Sequence, residues 1–363
     1  MVISKNQLDV VNKTIRKDIQ SISAYPINNS SGFIKLDAME SPYSLPENLY
    51  KKINDKINLL SLNRYPSADK TKLTRIIKEN FDIPNEASVL FGNGSDELIH
   101  LIIQSCCDPG DVVISPSPSF VYFGMAAKFN HAKFIGVPLT KDFQLNLQDM
   151  LDAIEKHKPK VIFLAMPNNP TGNIWDHKQV QSIIEKAPGL VIIDEAYQAF
   201  TNYTWMPMIT KIPNILVLRT VSKIGLAGLR FGYLSGNKKW INQIDKVRPP
   251  YNINVLTELF LIEIINNKNI LDQQTKQILL NKESLISELK KIENIIVYPS
   301  HGNFVLTRVD QEIGSLKIYE KLKANGILIK NLSGSHELLE NCLRISIGTS
   351  EENNKLLHVL KTI

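Results

Sequence analysis

Four short motifs carry the side chains whose types and spacing could do chemistry, and the first centres on a lysine. Lys223 follows the apolar run 215–219 and precedes glycines at positions 225 and 228, which predicts a lysine at a strand end in a glycine-rich loop. A free lysine amine has a pKa of about 10.4 and is a poor nucleophile at neutral pH, but an aldehyde cofactor converts it into an imine. Arg230 lies seven residues further on, and a lysine beside an arginine suggests a shared anion such as a phosphate. Considered alone, Lys223 is better explained as a solvated surface charge.

The second motif is an acid at the end of an apolar run. Asp194 follows Val191, Ile192 and Ile193, and Tyr197 comes three residues later. A buried carboxylate is costly unless it is paired, and a protonated ring nitrogen of a pyridine cofactor would pair with it. Tyr197 could then reach a hydroxyl on the same ring. The alternative is a capping aspartate at a strand–helix junction and a packed tyrosine.

The third and fourth motifs are a proline-rich loop and a glycine turn. Asn169 lies between Pro167 and Pro170 after the apolar run 160–165, and it could offer its amide to a ring oxygen. Gly94, Ser95 and Asp96 lead directly into a helical pattern, and a helix N-terminus binds anions through its free N–H groups. A plain Asn-Pro turn and a simply capped helix remain the alternatives.

The elements that must position these motifs form a repeating pattern of short apolar runs and helical segments. Seven runs are predicted as strands, at 87–91, 111–114, 133–137, 160–165, 190–194, 215–219 and 231–235. Many are continuously apolar, which is typical of strands buried on both faces in a mainly parallel sheet covered by helices. Ligand groups gather at the strand ends of such sheets. We therefore predict an α/β fold with a seven-stranded, mainly parallel sheet.

The pattern changes after Pro249 and Pro250 and predicts a smaller α+β unit. The expected elements are a helical stretch over 253–292, a helix over 314–325, and strands over 295–297, 303–308, 326–330 and 342–347. The segment 1–35 is interpreted as an arm and a loop that contributes to this unit. The predicted division is an N-terminal arm with part of the small domain (1–54), a large domain (55–250) and a C-terminal small domain (251–363).

Composition excludes several classes of protein. The 363 residues are 43% hydrophobic with a formal net charge of +6, and the basic residues are spread along the chain rather than clustered as nucleic-acid binding requires. Apolar runs of membrane-spanning length and a secretory signal are both lacking, so a soluble, cytoplasmic protein is expected. Three cysteines without metal-ligand spacing predict free thiols and no metal site.

The order of the four motifs resembles that of fold-type I pyridoxal-phosphate aminotransferases. Three further segments, 35–43, 62–66 and 341–349, look like those of the histidinol-phosphate aminotransferase family, and the likeness runs from about residue 20 to the C-terminus. The resemblance implies pyridoxal 5'-phosphate as cofactor. It also implies a reaction of histidine biosynthesis. In that reaction an amino group passes from L-histidinol phosphate to 2-oxoglutarate, which gives imidazole acetol phosphate and glutamate.

The resemblance also implies roles for individual residues. Lys223 would be the Schiff-base lysine and would move the proton, Asp194 would pair with the pyridine nitrogen, and Asn169 and Tyr197 would bind the ring oxygen. Further positions are implied by matching motifs: Gly94, Ser95, the Asp96 amide, Ser222 and Arg230 at the cofactor phosphate; Phe120 stacked on the ring; Tyr65 reaching the phosphate of the neighbouring subunit; and Tyr25, Asn169, Arg344 and Lys330 at the substrate. A homodimer with shared active sites follows from the position of Tyr65.

One departure from the family pattern concerns Lys330, where many members have arginine. Lysine binds an anion as a point charge but lacks the planar fork of a guanidinium. Three other functions stay open: a threonine-phosphate decarboxylase, an aminotransferase for aromatic amino acids, and a non-catalytic cofactor sensor. The sensor would need an N-terminal DNA-binding domain, and only about 35 residues precede the first family motif.

Overall fold

The computed structural model describes residues 5–24 and 29–362. Tyr25 lies outside these residues. Within them, thirteen α-helices alternate with thirteen strands. The helices are α1 (Lys5–Thr14), α2 (Lys17–Gln20), α3 (Glu47–Ile57), α4 (Thr71–Asn80), α5 (Ser95–Cys106), α6 (Tyr122–Phe129), α7 (Leu147–His157), α8 (His177–Lys186), α9 (Lys238–Ile244), α10 (Val255–Ile265), α11 (Asn269–Leu289), α12 (Ser315–Ala324) and α13 (Ser350–Leu360). The strands are β1 (Ile34–Lys35), β2 (Ser88–Gly92), β3 (Val112–Ser117), β4 (Lys133–Pro138), β5 (Val161–Ala165), β6 (Leu190–Asp194), β7 (Ile215–Thr220), β8 (Gly232–Gly236), β9 (Ile295–Val297), β10 (Phe304–Val309), β11 (Ile327–Leu328), β12 (Lys330–Asn331) and β13 (Cys342–Ser346).

Seven strands form the large sheet, in the order β2-β8-β7-β6-β5-β3-β4. Strand β8 runs antiparallel to both of its neighbours, and the other pairs of adjacent strands are parallel. All seven strand predictions are therefore confirmed, as is the mainly parallel α/β fold. The central strands β5 and β6 are buried along their whole length, because helices cover both faces.

The two faces of the large sheet pack against different sets of helices. Val191 and Ile193 of β6 belong to a core that includes buried residues of α3, α4, α7, α8 and α10. Leu190 and Ile192 point to the other face and pack with α5, α6 and α9. This alternation follows from the two-residue repeat of a strand, and it explains why the apolar run is continuous.

A second, four-stranded sheet has the order β12-β13-β10-β9, and its pairs are antiparallel. Its core packs against α11, α12 and α13. The N-terminal segment contributes through β1, which pairs in parallel with β11. The predicted strand over 326–330 is in fact two short strands that belong to different sheets, β11 with β1 and β12 with β13.

Two further details differ from the sequence-based picture. The segment predicted as an arm and loop contains the helices α1 and α2 in its described part. Helix α10, expected in the C-terminal small domain, buries Leu261 and Ile264 in the core beneath the large sheet, against α3 and α4. The division at residues 54 and 250 stays a prediction. None of the helices that the structure describes is both long and apolar enough to cross a membrane.

Candidate active site

The motif residues meet because they follow neighbouring strands of the large sheet. Asn169 follows β5, Asp194 ends β6, and Lys223 follows β7. These three strands are adjacent and parallel, so their carboxyl ends lie at one edge of the sheet. Ser95, at the start of α5, reaches the same edge, because β2 runs in the same direction as β7. The motif residues thus lie together at one edge of the sheet, as their positions at strand ends predicted.

Lys223 lies in a single 3-10 turn, Ser222–Ile224, that ends at Gly225. Gly225 has a φ of 106°, a conformation that favours glycine. The Nζ of Lys223 donates a hydrogen bond of 3.3 Å to the carbonyl oxygen of Ala38, and it lies 5.7 Å from the centre of the Tyr197 ring. Burial, and then the positive charge of Arg344, lower the pKa of Lys223 to about 8. A fraction of the amine is therefore unprotonated at neutral pH.

Asp194 is a buried acid, with only 4% of its surface exposed. Its Oδ1 accepts a hydrogen bond of 3.0 Å from the amide of Ala196. Burial raises the pKa of Asp194 to about 7, although the Ala196 amide opposes the shift. Tyr197 is buried beside it and packs edge-on against Phe304, 5.1 Å between ring centres. Because burial leaves this carboxylate poorly solvated, a positive group placed beside it would be stabilised strongly.

A buried ion pair lies directly behind Asp194, and the sequence analysis missed it. Glu195 and Arg219 are 2% and 5% exposed, and Arg219 Nη2 is 2.8 Å from Glu195 Oε2. Glu195 also accepts hydrogen bonds from Thr204 and from the amide of Trp205. The available signal was an arginine inside the apolar run 215–219, one strand away from an acid at the end of 190–194. This pair anchors the ends of β6 and β7.

Asn169 and Arg344 are joined across the two sheets. Arg344 of β13 donates a hydrogen bond of 2.6 Å from Nη1 to Asn169 Oδ1 and another of 2.8 Å from Nη2 to the carbonyl oxygen of Asp37. Its guanidinium also lies 5.9 Å from the centre of the Phe304 ring. Arg344 is 9% exposed. Arg344 is therefore a buried residue of the site and not a surface arginine.

Close backbone packing shapes the start of α5 into an anion cradle. Gly94 has a φ of 85°, and a Cβ there would lie 2.6 Å from Nη2 of Arg230. A Cβ on Gly232 would lie 2.7 Å from the amide nitrogen of Ser95. Only glycine fits at either position, and this leaves the first helical N–H groups and the guanidinium close together.

Hydroxyl groups complete the cradle on the β7 side. Ser222 and Thr220 share a hydrogen bond of 2.8 Å between their hydroxyl oxygens. Arg230 donates a bond of 3.1 Å to Asp96 Oδ2, and both side chains are about half exposed. A helix N-terminus, two hydroxyls and an arginine are the donors that a phosphate monoester needs. The donor set thus fits the phosphate of pyridoxal phosphate, and Lys223 and Asp194 fit its aldehyde and its ring nitrogen.

A cavity of about 1040 Å³ opens beside Lys223. Among its lining residues are the predicted Lys223, Phe120, Asn169, Lys330 and Arg344. The sequence analysis missed several others, because the tertiary fold brings them in on separate strands, a helix and a loop: Lys35, Lys128, Phe134 and His336. The cationic side chains share the lining with the apolar side chains of Phe120, Val121, Met125 and Phe134.

Tyr65 is not part of this cavity's lining within the described chain. It is 80% exposed, and its ring stacks on Tyr251 with 4.7 Å between centres. Leu59 and Leu62, which precede it in sequence, are also exposed. No group of three or more potential metal ligands is present among the described residues.

Comparison with known proteins now gives the family. The family model described as aminotransferase class I and II matches residues 31–360. The chain belongs to this family. It is a pyridoxal-phosphate-dependent aminotransferase. The match covers both sheets and every described motif residue of the site.

Individual relatives agree with this family. The chain is 50% identical over 351 residues to "Histidinol-phosphate aminotransferase 2" of Bordetella bronchiseptica, covering 97% of this chain and 96% of the relative. The crystal structure of histidinol-phosphate aminotransferase from Sinorhizobium meliloti in complex with pyridoxal-5'-phosphate has a TM-score of 0.85 at 21% identity, with 96% and 97% coverage. L-threonine-O-3-phosphate decarboxylase from Porphyromonas gingivalis has a TM-score of 0.75 at 20% identity, with 91% and 98% coverage. Because both structures share this fold, the fold alone does not separate the two activities.

Proposed function

We propose that this enzyme transfers the amino group of L-histidinol phosphate to 2-oxoglutarate, yielding imidazole acetol phosphate and glutamate, as a step of histidine biosynthesis. The observation that carries the proposal is the cavity in which Lys223, Lys330 and Arg344 converge. An amine substrate with an anionic end fits a site that has an amine acceptor at one side and fixed cations at the other. The 50% identity to a histidinol-phosphate aminotransferase supports the same substrate.

Pyridoxal phosphate, when bound, supplies an electron-withdrawing ring that makes the substrate Cα–H bond acidic. Lys223 would hold the cofactor through Nζ, and its amine, once freed by the substrate amine, would take up the proton from the substrate Cα. Its lowered pKa suits this exchange, because a base works best near the operating pH. The hydrogen bond to Ala38 gives the released amine a fixed partner.

Asp194 keeps the ring nitrogen protonated through its buried carboxylate. In the absence of a cation the carboxyl holds its proton up to a pH of about 7, and a pyridinium beside it would lower that pKa again. Asn169 and Tyr197 would bind the cofactor's ring hydroxyl, and Phe120 would contact its ring. Gly94, Ser95, the Asp96 amide, Ser222 and Arg230 bind the cofactor phosphate.

Arg344 and Lys330 bind the anionic end of the substrate. The site must accept a phosphate in one half-reaction and a carboxylate in the other, and a lysine, which binds an anion as a point charge, beside a guanidinium can serve both. Arg344 is fixed by Asn169 and by the Asp37 carbonyl. Tyr25 is assigned to the substrate by resemblance only.

We also infer a cytoplasmic homodimer with shared active sites. The exposed side chains of Leu59, Leu62, Tyr65 and Tyr251 support an interface that includes them, since exposed apolar patches mark association sites. Within the dimer, Tyr65 would reach the cofactor phosphate of the neighbouring subunit. Domain boundaries near residues 54 and 250 belong to the same proposal.

An aminotransferase for aromatic amino acids is the second candidate, and the apolar side chains of the cavity favour it. Phe120, Val121, Met125 and Phe134 could cover an aromatic side chain as well as an imidazole. Threonine-phosphate decarboxylase remains the other alternative. Product analysis tests the proposal: histidinol phosphate with 2-oxoglutarate should give glutamate in equal amount to the keto product. Release of CO₂ from threonine phosphate without glutamate formation would instead identify a decarboxylase.

A further inference from the structure

Lys282 is a buried lysine that lies outside the cavity. It belongs to α11, and 7% of its surface is exposed. Its Nζ donates hydrogen bonds of 3.1 Å to the carbonyl oxygen of Ser300 and 3.0 Å to that of Gly302. Burial lowers its pKa to about 8. A buried ammonium costs free energy unless it is hydrogen-bonded, and the two carbonyl oxygens that converge on Lys282 Nζ offset this cost.

The two carbonyls belong to a loop, residues 300–303, that touches both walls of the active site. On one side the amide of His301 donates a hydrogen bond of 2.7 Å to the carbonyl oxygen of Gly172. The contact is tight, because a Cβ on Gly172 would lie 2.6 Å from Ser300 Oγ. Gly172 ends the loop that carries Asn169, and its own amide donates to the carbonyl of Asn168.

On the other side the same loop holds the turn that faces Lys223. Asn303 is fully buried and donates a hydrogen bond of 2.9 Å from Nδ2 to the carbonyl oxygen of Met39. Met39 has a φ of 52°, which is unfavourable for a methionine and must be stabilised by its surroundings. The turn before it presents the carbonyls of Asp37 to Arg344 and of Ala38 to Lys223.

We propose that Lys282 is a positioning residue for the amino-transfer reaction: by clamping loop 300–303, it fixes Asn169 on one wall and the Asp37–Met39 turn on the other at the spacing that the reaction needs. The inference rests on the proposed roles of Asn169 and Lys223. Lys282 acts only through the loop. A shift of about 1 Å in groups that orient a substrate can cost about 100-fold in rate, so the loss of a remote clamp is measurable.

The test uses Lys282→Met, which keeps the volume and removes the ammonium, beside Lys282→Arg, which keeps a cation with several donors. Lys276→Met is the matched control, since Lys276 lies exposed on the same helix. The first readout is amide hydrogen exchange of the cofactor-free protein over 168–173 and 298–304. We expect exchange at His301 and Gly172 to be at least about tenfold faster in Lys282→Met, nearly normal in Lys282→Arg, and unchanged in the control.

The second readout is the single-turnover rate of the holoenzyme with glutamate as the amino donor. We expect this rate to fall about tenfold or more in Lys282→Met, with much of it restored in Lys282→Arg and the cofactor still bound. Unchanged exchange in Lys282→Met, or faster exchange with an unchanged rate, would overturn the proposal. If Lys282→Met does not fold, Ser300→Ala loosens the same loop from within. The exchange at His301 and Gly172 and the single-turnover rate of that variant then test the proposal in the same way. Because glutamate is the donor, an enzyme that rejects histidinol phosphate would disprove the proposed substrate but leave this test intact.

Discussion

The side chain of Arg344 donates a 2.6 Å hydrogen bond to Asn169 and thereby joins the small sheet to the loop after β5 of the large sheet. Both residues were predicted from separate motifs, 175 positions apart. Their contact makes the arginine proposed to bind the substrate and the amide proposed to orient the cofactor parts of one unit. Groups in such a unit are coupled, so their mutational effects do not add.

The first prediction follows from this contact. Arg344→Lys keeps the charge but loses the two-pronged contact with Asn169 and Asp37, so we expect kcat/KM to fall about 10- to 100-fold. Asn169→Ala combined with Arg344→Lys should cost less than the sum of the two single changes, with a coupling of about 1 kcal/mol or more. Steady-state kinetics measure both effects. Arg75→Lys, at an exposed site, is the control. Strict additivity would show that the contact is not used.

The second prediction concerns the pH dependence of cofactor attachment. Only the neutral amine of Lys223 can attack the aldehyde, and its pKa is lowered from about 10.5 to about 8. The attachment rate should therefore rise with pH and level off above about 8. Arg344→Gln removes a positive charge that lowers this pKa, so the midpoint should move upward. Stopped-flow absorbance with cofactor-free protein measures the profile, and Lys223→Ala gives the blank. A midpoint near that of free lysine would contradict the pKa account.

The third prediction concerns Asp194 in the cofactor-free protein. Its folded-state pKa of about 7 exceeds the value of 3.8 expected when it is unfolded, so the native state retains a proton that the unfolded state has lost. The free energy of unfolding should thus fall as pH rises from about 4 to about 7, by at most about 1.4 kcal/mol per pH unit from this group. Asp194→Asn should remove that slope, whereas Asp152→Asn at an exposed site should not. Urea unfolding at several pH values measures it.

The same Asp194→Asn variant has a catalytic consequence. With the charge beside the ring nitrogen gone, we expect the proton-transfer rate to fall about 100-fold or more, while cofactor binding weakens only modestly. Rapid-scanning absorbance of the half-reaction with an amine donor gives this rate. A wild-type rate would exclude the pairing with the ring nitrogen.

The fourth prediction tests the shared site. In a mixed dimer of Lys223→Ala and Tyr65→Ala chains, both changes fall in one site and the other site is intact, provided that Tyr65 acts on its partner. Activity after subunit exchange should therefore rise above that of either parent. A mixed dimer has one intact site out of two, so its activity should reach at most about half that of a wild-type dimer. Tyr50→Ala, another exposed tyrosine, replaces Tyr65→Ala in the control mixture. Demonstrated exchange without recovery would show that Tyr65 does not cross the interface.

The large sheet and the strand-end positions of Lys223, Asp194 and Asn169 were predictable because continuous apolar runs mark buried parallel strands, and parallel strands bring their carboxyl ends together. Contacts between segments that are distant in sequence could not be predicted. The Arg344–Asn169 bond, the Ala38 carbonyl at Lys223 and the Glu195–Arg219 pair depend on packing between elements that no local periodicity encodes. Lys282 was missed for the same reason: a lysine in a helical pattern looks solvated, and only tertiary structure buries it.

The most direct test of the account is a substrate panel with 2-oxoglutarate as acceptor, comparing kcat/KM for L-histidinol phosphate, phenylalanine, tyrosine and threonine phosphate. The cavity is lined both by the cations Lys330 and Arg344 and by apolar side chains such as Phe120 and Phe134, so it should favour the substrate that has both a phosphate and an aromatic ring. We predict that kcat/KM for histidinol phosphate exceeds that for each other amine by about 100-fold or more, because among the four amines only histidinol phosphate offers both a phosphate to the cations and an aromatic ring to the apolar side chains. A kcat/KM for phenylalanine or tyrosine equal to or above that for histidinol phosphate would contradict the account.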